Sequence, residues 1–303
     1  MENQTTPANN AMPRRVSQVL LTGTRRLLAA GIESGRLDAE LLLGHVLGMS
    51  REQLVIGASM PLSQEQWQSY ESILLRRLDA EPTAYITGRQ EFWSKDFRVT
   101  PAVLVPRPET ECLVEIALKL AADWHEPLRI LDLGTGSGAI AIALAGELPE
   151  TTIFATDISH AALVLARQNA ARYGVTGQIH FLQGDLFEAI RKAGAKFHLI
   201  LSNPPYIRRS EIAELAPTVS RWEPRVALDG GPDGLEYYRR LAGSAIDYLL
   251  PSGAIIVEIG VDMGVSARAL FTNAAACVDA TIAQDYSGQD RIVVARHRAS
   301  LEN

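Results

Sequence analysis

The 303-residue sequence predicts an α/β protein in which a parallel sheet, covered on both faces, follows a small helical amino-terminal domain and a β-hairpin linker. Three observations carry this. Five short β-branched runs alternate with helical stretches after residue 128, glycines cluster at the first strand-to-helix turn, and residues 16 to about 80 place their apolar pairs at helical spacing.

Residues 1–14 are rich in Asn, Thr and Pro without periodicity, which predicts a mobile tail. Residues 15–90 follow as a helical domain of four or five helices, with apolar pairs at Leu27 and Leu28 and at Leu74 and Leu75, and a run over 41–43. Ser50 with Gln53, and Ser63 with Gln66, have the S-x-x-Q spacing that satisfies free amides at a helix start. Residues 91–106 change texture: aromatic and β-branched residues alternate with polar ones before Pro106 and Pro108, the pattern of a linking hairpin. In residues 107–303, strands are predicted at 128–133, 152–156, 179–182, 197–202 and 254–259. Two last β-rich stretches, near 277–282 and 291–296, flank the turn-like YSGQD and suggest an antiparallel hairpin at a sheet edge.

Hydrophobic residues make up 47% of the chain, enough for two cores. The net charge is −6; residues 1–90 balance nine Arg against nine acids, so the excess lies in the second domain. An acidic chain lacks the electrostatic footprint of a broad nucleic-acid binder, so no direct nucleic-acid partner is expected. Cys112 and Cys277 form no CxxC pair and the six histidines show no metal spacing, so the expectation is a reducing, cytoplasmic setting and no metal. The amino terminus lacks an apolar signal core and the longest apolar runs are too short to span a bilayer, so no membrane role is expected.

The chemistry concentrates at strand ends. LDLGTGSG follows the first strand and opens a helix, which places Gly134, Gly136 and Gly138 where backbone must approach a nucleotide closely. Gly134, Gly136 and Ala139 also meet the dinucleotide pattern, so the loop alone leaves the cofactor open. Asp157 ends the second strand, 23 positions after Gly134, where a carboxylate can accept from both ribose hydroxyls; the competing role is to cap the next helix, which Ser159 can do instead. Asp185, after the third strand, is placed either to approach an adenine amino group or as an ordinary loop residue.

LSNPPYI follows the fourth strand, at the carboxyl edge where open α/β sheets bind ligands. A planar nitrogen attacks poorly because its lone pair is drawn into a π-system, unless its N–H groups are held so that the lone pair points at the electrophile. The side-chain carbonyl of Asn203 and the backbone carbonyl of Pro204 suit those two hydrogens, Tyr206 suits stacking on the flat group, and two prolines keep the turn rigid. Arg107, Glu109 and Glu111 read as a polar helix start after Pro108, where two acids suit the helix dipole.

NPPY and LDLGTGSG together look like the amino-methyltransferases that use S-adenosylmethionine. More narrowly, AYITGRQEFW (84–93), VLVPRPETECLVE (103–115), EPRVALDGGPDGLEYYR (223–239) and YSGQDR (286–291) resemble the HemK/PrmC family of release factor glutamine methyltransferases, over roughly residues 16–296. The resemblance implies a Rossmann-like, seven-stranded class I methyltransferase domain behind a helical release-factor-binding domain. It implies S-adenosyl-L-methionine as cofactor, S-adenosyl-L-homocysteine as product, and the glutamine of the Gly-Gly-Gln motif of peptide-chain release factors as substrate, with the enzyme a monomer. Carried over, Gly134, Thr135, Gly136, Ser137 and Gly138 line the methionine part of the cofactor, Asp157 its ribose, and Leu186 and Phe187 the adenine rim; Asn203, Pro204, Pro205 and Tyr206 hold the glutamine. With weight equal to the helix-start reading, the resemblance also implies that the PRPETE segment, which holds Arg107, Glu109 and Glu111, closes over the cofactor pocket. The chain departs from the family pattern at Leu186, where Trp is common, and at Met263, where Gln is. Rival readings are an amino-methyltransferase acting on adenine or guanine in nucleic acid, an NAD-dependent oxidoreductase, which leaves NPPY unexplained, and a non-catalytic adaptor.

Overall fold

The computed structural model describes residues 14–191, 194–274 and 277–297, so the tail expected over 1–14 lies almost wholly outside the described residues. The chain divides between Thr87 and Gly88 into two compact units. Among the described residues, no helix is long and apolar enough to cross a membrane.

The first unit holds α1 (Val16–Ala29), α2 (Gly35–Leu47), α3 (Arg51–Ile56), α4 (Gln64–Leu78) and α5 (Thr83–Thr87). Both capping boxes form: the Gln53 amide donates to Ser50 Oγ and the Ser50 amide to Gln53 Oε1, with the same exchange between Ser63 and Gln66. Leu27, Leu42, Leu43, Tyr70 and Leu74 are fully buried between the helices. One buried ion pair crosses this core, Arg77 Nε to Asp38 Oδ2 at 2.9 Å. The hydroxyls of Ser34 and Thr83 donate to the same carboxylate, joining α2, α4 and α5.

The second unit opens with an antiparallel hairpin, β1 (Arg89–Phe92) and β2 (Lys95–Arg98). Its two-residue turn holds Trp93 and Ser94 at positive φ, the backbone that matches strand twist. Phe92 and Phe97 are buried against α6 (Glu111–Ala121) and the next helix, so the hairpin is docked rather than a free connector. Then come β3 (Arg129–Leu133), α7 (Ala139–Glu147), β4 (Thr152–Asp157), α8 (His160–Arg172), β5 (Ile179–Gln183) and β6 (Phe197–Ser202). They are followed by α9 (Pro217–Ser220), α10 (Glu236–Ser244), β7 (Leu249–Glu258), α11 (Gly264–Thr272), β8 (Cys277–Gln284) and β9 (Asp290–His297).

The seven strands run in the order β5-β4-β3-β6-β7-β9-β8. The first five pair in parallel; β9 is antiparallel to both β7 and β8, so the final hairpin lies at one edge as expected. One face packs on α6 and α7 through Leu113, Ile140 and Leu144, the other on α10 and α11 through Tyr238, Leu241 and Phe271. Because β3 continues to β4 on one side while β6 lies on its other side, the chain diverges at the carboxyl ends of β3 and β6. This is the switch point where doubly wound sheets open a crevice.

Asn169 of α8 fixes the hairpin to this sheet. Its side chain, wholly buried, accepts from the Arg98 amide at 2.9 Å and donates to the carbonyls of Arg98 and Ser137 at 3.1 and 2.8 Å. Asn169→Ala strands the buried Ser137 carbonyl and two partly buried backbone groups of Arg98, and we expect urea unfolding to report a loss of about 1–3 kcal/mol from the second unit. A loss under about 0.5 kcal/mol, the size of an ordinary surface change, would mean that these bonds are replaced at no cost.

Candidate active site

The loop after β3 is tied down by its neighbour: the amides of Gly134 and Thr135 both donate to the Thr156 carbonyl at 2.9 Å. Gly136 has φ +55°, and a Cβ there would meet no protein atom within 4 Å, so bare backbone faces open space. Gly138 has φ +83° for a different reason. A Cβ would lie 2.9 Å from Ile142 Cδ1 and 3.2 Å from Ala166 Cβ, so the absent side chain lets α7 pack against α8. Beneath the loop the wholly buried Asp132 accepts from the Thr135 hydroxyl at 2.6 Å; burial, opposed by that bond, pushes its carboxyl up to about 7.

Of the two capping candidates before α8, Ser159 takes the role, its Oγ accepting from the Ala162 amide. Asp157 instead accepts from the Gly136 amide at 2.9 Å with Oδ2 and from the Ser159 amide at 2.8 Å with Oδ1. A carboxylate has about four lone-pair sites, so two more donors fit from the cavity that Asp157 lines. Burial pushes its pKa up against those two bonds.

The cavity opens over the carboxyl ends of β3, β4, β5 and β6. Phe92, Val103, Leu104, Pro106, Ile158 and Val226 supply its apolar surface. Gly134, Thr135, Gly136, Ser137, Asp157, Asp185, Leu186, Asn203, Pro204 and Pro205 all line it. Ten expected site residues, drawn from the carboxyl ends of four strands, therefore face one space.

Three expected residues are placed elsewhere. Gly138 sits behind the loop, against α8. Phe187 is buried in the core, its ring stacked on Tyr248 with centroids 4.7 Å apart, because Leu186 takes a positive φ and turns the next side chain inward. Tyr206 also lies outside the cavity lining. The Ile207 amide donates to the Leu228 carbonyl and Gly230 packs on the Tyr206 backbone, which carries the ring towards Gly260. Burial there pushes its hydroxyl up to about 12. Asp185 lines the cavity, but its Oδ2 accepts from Arg240 at 2.6 Å.

Two arrangements escaped the sequence reading. Asn203 Nδ2 donates to Thr110 Oγ1 at 3.1 Å, and that hydroxyl donates to Glu258 Oε2 at 2.6 Å. Asn203 Oδ1 keeps no protein partner among the described residues. Glu258 ends β7 and is 1% exposed; burial pushes it up to about 7, against the Thr110 bond and the charge of Arg291. Its signal in the sequence is an acid closing the apolar run AIIVE. The second arrangement clamps the segment before α6: the buried Glu223 accepts from Arg107 at 2.5 Å and from the Val105 amide at 3.3 Å. The segment starts α6, where Glu111 accepts from the Trp93 amide at 2.7 Å, and contributes Pro106, Arg107 and Thr110 to the cavity lining.

Two family models match the chain, the PrmC N-terminal domain over residues 18–88 and the methyltransferase small domain over residues 111–218. The chain is 42% identical over 281 residues to the release factor glutamine methyltransferase of Moorella thermoacetica, covering 93% of this chain and 98% of that one. It is 41% identical over 278 residues to the Geobacter sulfurreducens protein of the same name, covering 91% and 95%. Among solved structures, a 16S rRNA methyltransferase from T. thermophilus superposes with a TM-score of 0.51 at 16% identity, covering 69% of this chain and 50% of that one; this likeness is one of fold.

The clamp yields a direct test. Glu223→Ala removes the acceptor of the Val105 amide and the counter-charge of Arg107, so hydrogen exchange at Val105 should accelerate by about tenfold or more. Unchanged exchange would mean that the segment holds its place without Glu223.

Proposed function

The chain belongs to the release factor glutamine methyltransferase family, and on that premise we propose that it transfers a methyl group from S-adenosylmethionine to the side-chain amide nitrogen of the glutamine in the Gly-Gly-Gln motif of peptide-chain release factors. The observation that carries this reading is the Asn203 amide. Its Nδ2 is engaged inward by Thr110, which leaves Oδ1, on a cavity-lining residue beside the glycine loop, free to accept.

The residues present fit the cofactor. Bare backbone at Gly134 and Gly136 leaves open space for its methionine part, the two unused acceptor sites of Asp157 match a ribose diol, and Leu186 offers an apolar rim for adenine. S-adenosylmethionine supplies an electrophilic methyl carbon on a sulfonium. Asn203 Oδ1 and the Pro204 carbonyl accept the two N–H groups of the target amide, which twists its lone pair towards that carbon. Bound there, the cofactor would offer its methyl carbon to that nitrogen, with its sulfur as the leaving group that takes the bonding electron pair. A strong base is unnecessary, since the nitrogen becomes acidic as it gains the methyl and passes its proton to water or a carbonyl.

The rest of the proposal concerns the setting. The helical unit grips the release factor outside its Gly-Gly-Gln loop; the chain acts as a monomer, in the cytoplasm, on protein rather than nucleic acid. The neutral helical segment and the net charge of −6 support the last point. Incubating the purified chain with methyl-labelled cofactor and, separately, release factor, RNA and DNA tests the reading. Label should appear on the release-factor glutamine; label on a nucleic acid instead would overturn it.

Two substitutions separate binding from chemistry. Asp157→Ala should weaken S-adenosylmethionine binding by about 1.5–3 kcal/mol in calorimetry, the range for hydrogen bonds to a charged group. Asn203→Ala should leave that affinity within about tenfold while single-turnover methylation falls by on the order of 10² to 10³. Near-parental chemistry in Asn203→Ala would remove the proposed role of the NPPY turn.

A further inference from the structure

The network behind Asn203 does more than fill space. A threonine hydroxyl has one proton and can donate it to only one neighbour. Here that proton goes to Glu258, 2.6 Å away, so Thr110 meets Asn203 with a lone pair and takes the amide N–H at 3.1 Å. The direction of both bonds is thus set at the far end, by the charge on Glu258. If Glu258 carried a proton, it would donate to Thr110, and Thr110 would turn its own proton on Asn203. The amide would then present its carbonyl inward and its NH2 to the cavity, where a target amide would meet donors instead of an acceptor.

Resting on the function proposed above, we propose that Glu258 is a positioning residue for methyl transfer, acting through the Thr110 hydroxyl to fix which end of the Asn203 amide faces the substrate. Glu258 touches neither substrate nor cofactor in this scheme. Its charge polarises a chain of two hydrogen bonds that ends at the acceptor oxygen, and chains of this kind reinforce one another in a low-dielectric interior.

The groups that act on Glu258 come from several elements. Arg291 on β9 and Arg107 before α6 favour its charged form, and Glu109, in the same turn as Thr110, opposes it. Tyr206 stands close enough to feel its charge, and the Tyr238 hydroxyl of α10 donates to its backbone carbonyl at 3.2 Å. With the carboxyl balanced at about 7, the relay should engage as pH rises through neutrality. Turnover should therefore climb from pH 6 to pH 8 by about tenfold, the effect of one ionisation traversed across its midpoint. Asp132, also near 7, could impose a similar slope, so the assignment to Glu258 needs variants.

The test is single-turnover methylation of a release factor by the full-length chain and its variants across pH 6–8, alongside calorimetric S-adenosylmethionine affinity and thermal melting. Glu258→Gln should lower kcat by about tenfold at pH 8 and flatten the pH profile, with KM and cofactor affinity little changed. Thr110→Val, which keeps the shape and deletes the hydroxyl, should lower kcat by on the order of 10², and Thr110→Ser should restore most of that loss. Adding Glu258→Gln to Thr110→Val should cost nothing more, because the two act through one path. A pH slope that persists in Glu258→Gln, parental turnover in that variant at pH 8, or additive losses in the double variant would each overturn the relay while leaving the methyltransferase reading intact. Absence of label from the parental chain at every pH would instead overturn that reading and the relay with it.

Discussion

Everything at the site depends on one register, the pairing of Leu133 with Ser202 at the carboxyl ends of β3 and β6. The Ser202 hydroxyl donates to the Leu133 carbonyl at 2.8 Å, and both residues are buried. The next residues are Gly134 on one strand and Asn203 on the other, so the register alone brings the glycine loop and the NPPY turn to the same edge. A slip by one residue would turn every β6 side chain to the opposite face of the sheet. Two apolar cores, one on each face, make that slip prohibitive. Packing far from the cavity thereby sets the distance between the group that cradles a cofactor and the group that aims a nucleophile.

Much of this was legible in the sequence, because it is local. Strand runs, the glycine loop, the capping boxes and the competition between Asp157 and Ser159 all depend on neighbours a few positions away. The side chains that organise the site are not local. Thr110 and Asn203 are 93 positions apart, Thr110 and Glu258 148, and Arg107 and Glu223 116. Only the closed sheet makes these pairs neighbours. Phe187 and Tyr206 differ from the placement the motif suggested because a motif carries no dihedral angle. A positive φ at Leu186 and the bracing of Ile207 against Leu228 decide where those rings go.

The buried acids follow a common logic. Asp132, Glu223 and Glu258 are buried behind segments that border the cavity, Asp157 is half-buried in its wall, and burial disfavours the charge of all four. Such groups contribute little net stability, since desolvation offsets most of what their hydrogen bonds return. What they provide is definition: each holds a particular amide, hydroxyl or guanidinium in one orientation. The cost is carried by the apolar cores on the two faces of the sheet.

The stretch from Val105 to Thr110 serves two of these acids at once. Val105 and Arg107 are held by Glu223, and Thr110 is held by Glu258, with Pro106 and Pro108 stiffening the segment. The short piece of backbone that lends Arg107 to the cavity wall is thus the same piece whose Thr110 accepts from the Asn203 amide, so the shape of the wall and the direction of the acceptor are set together.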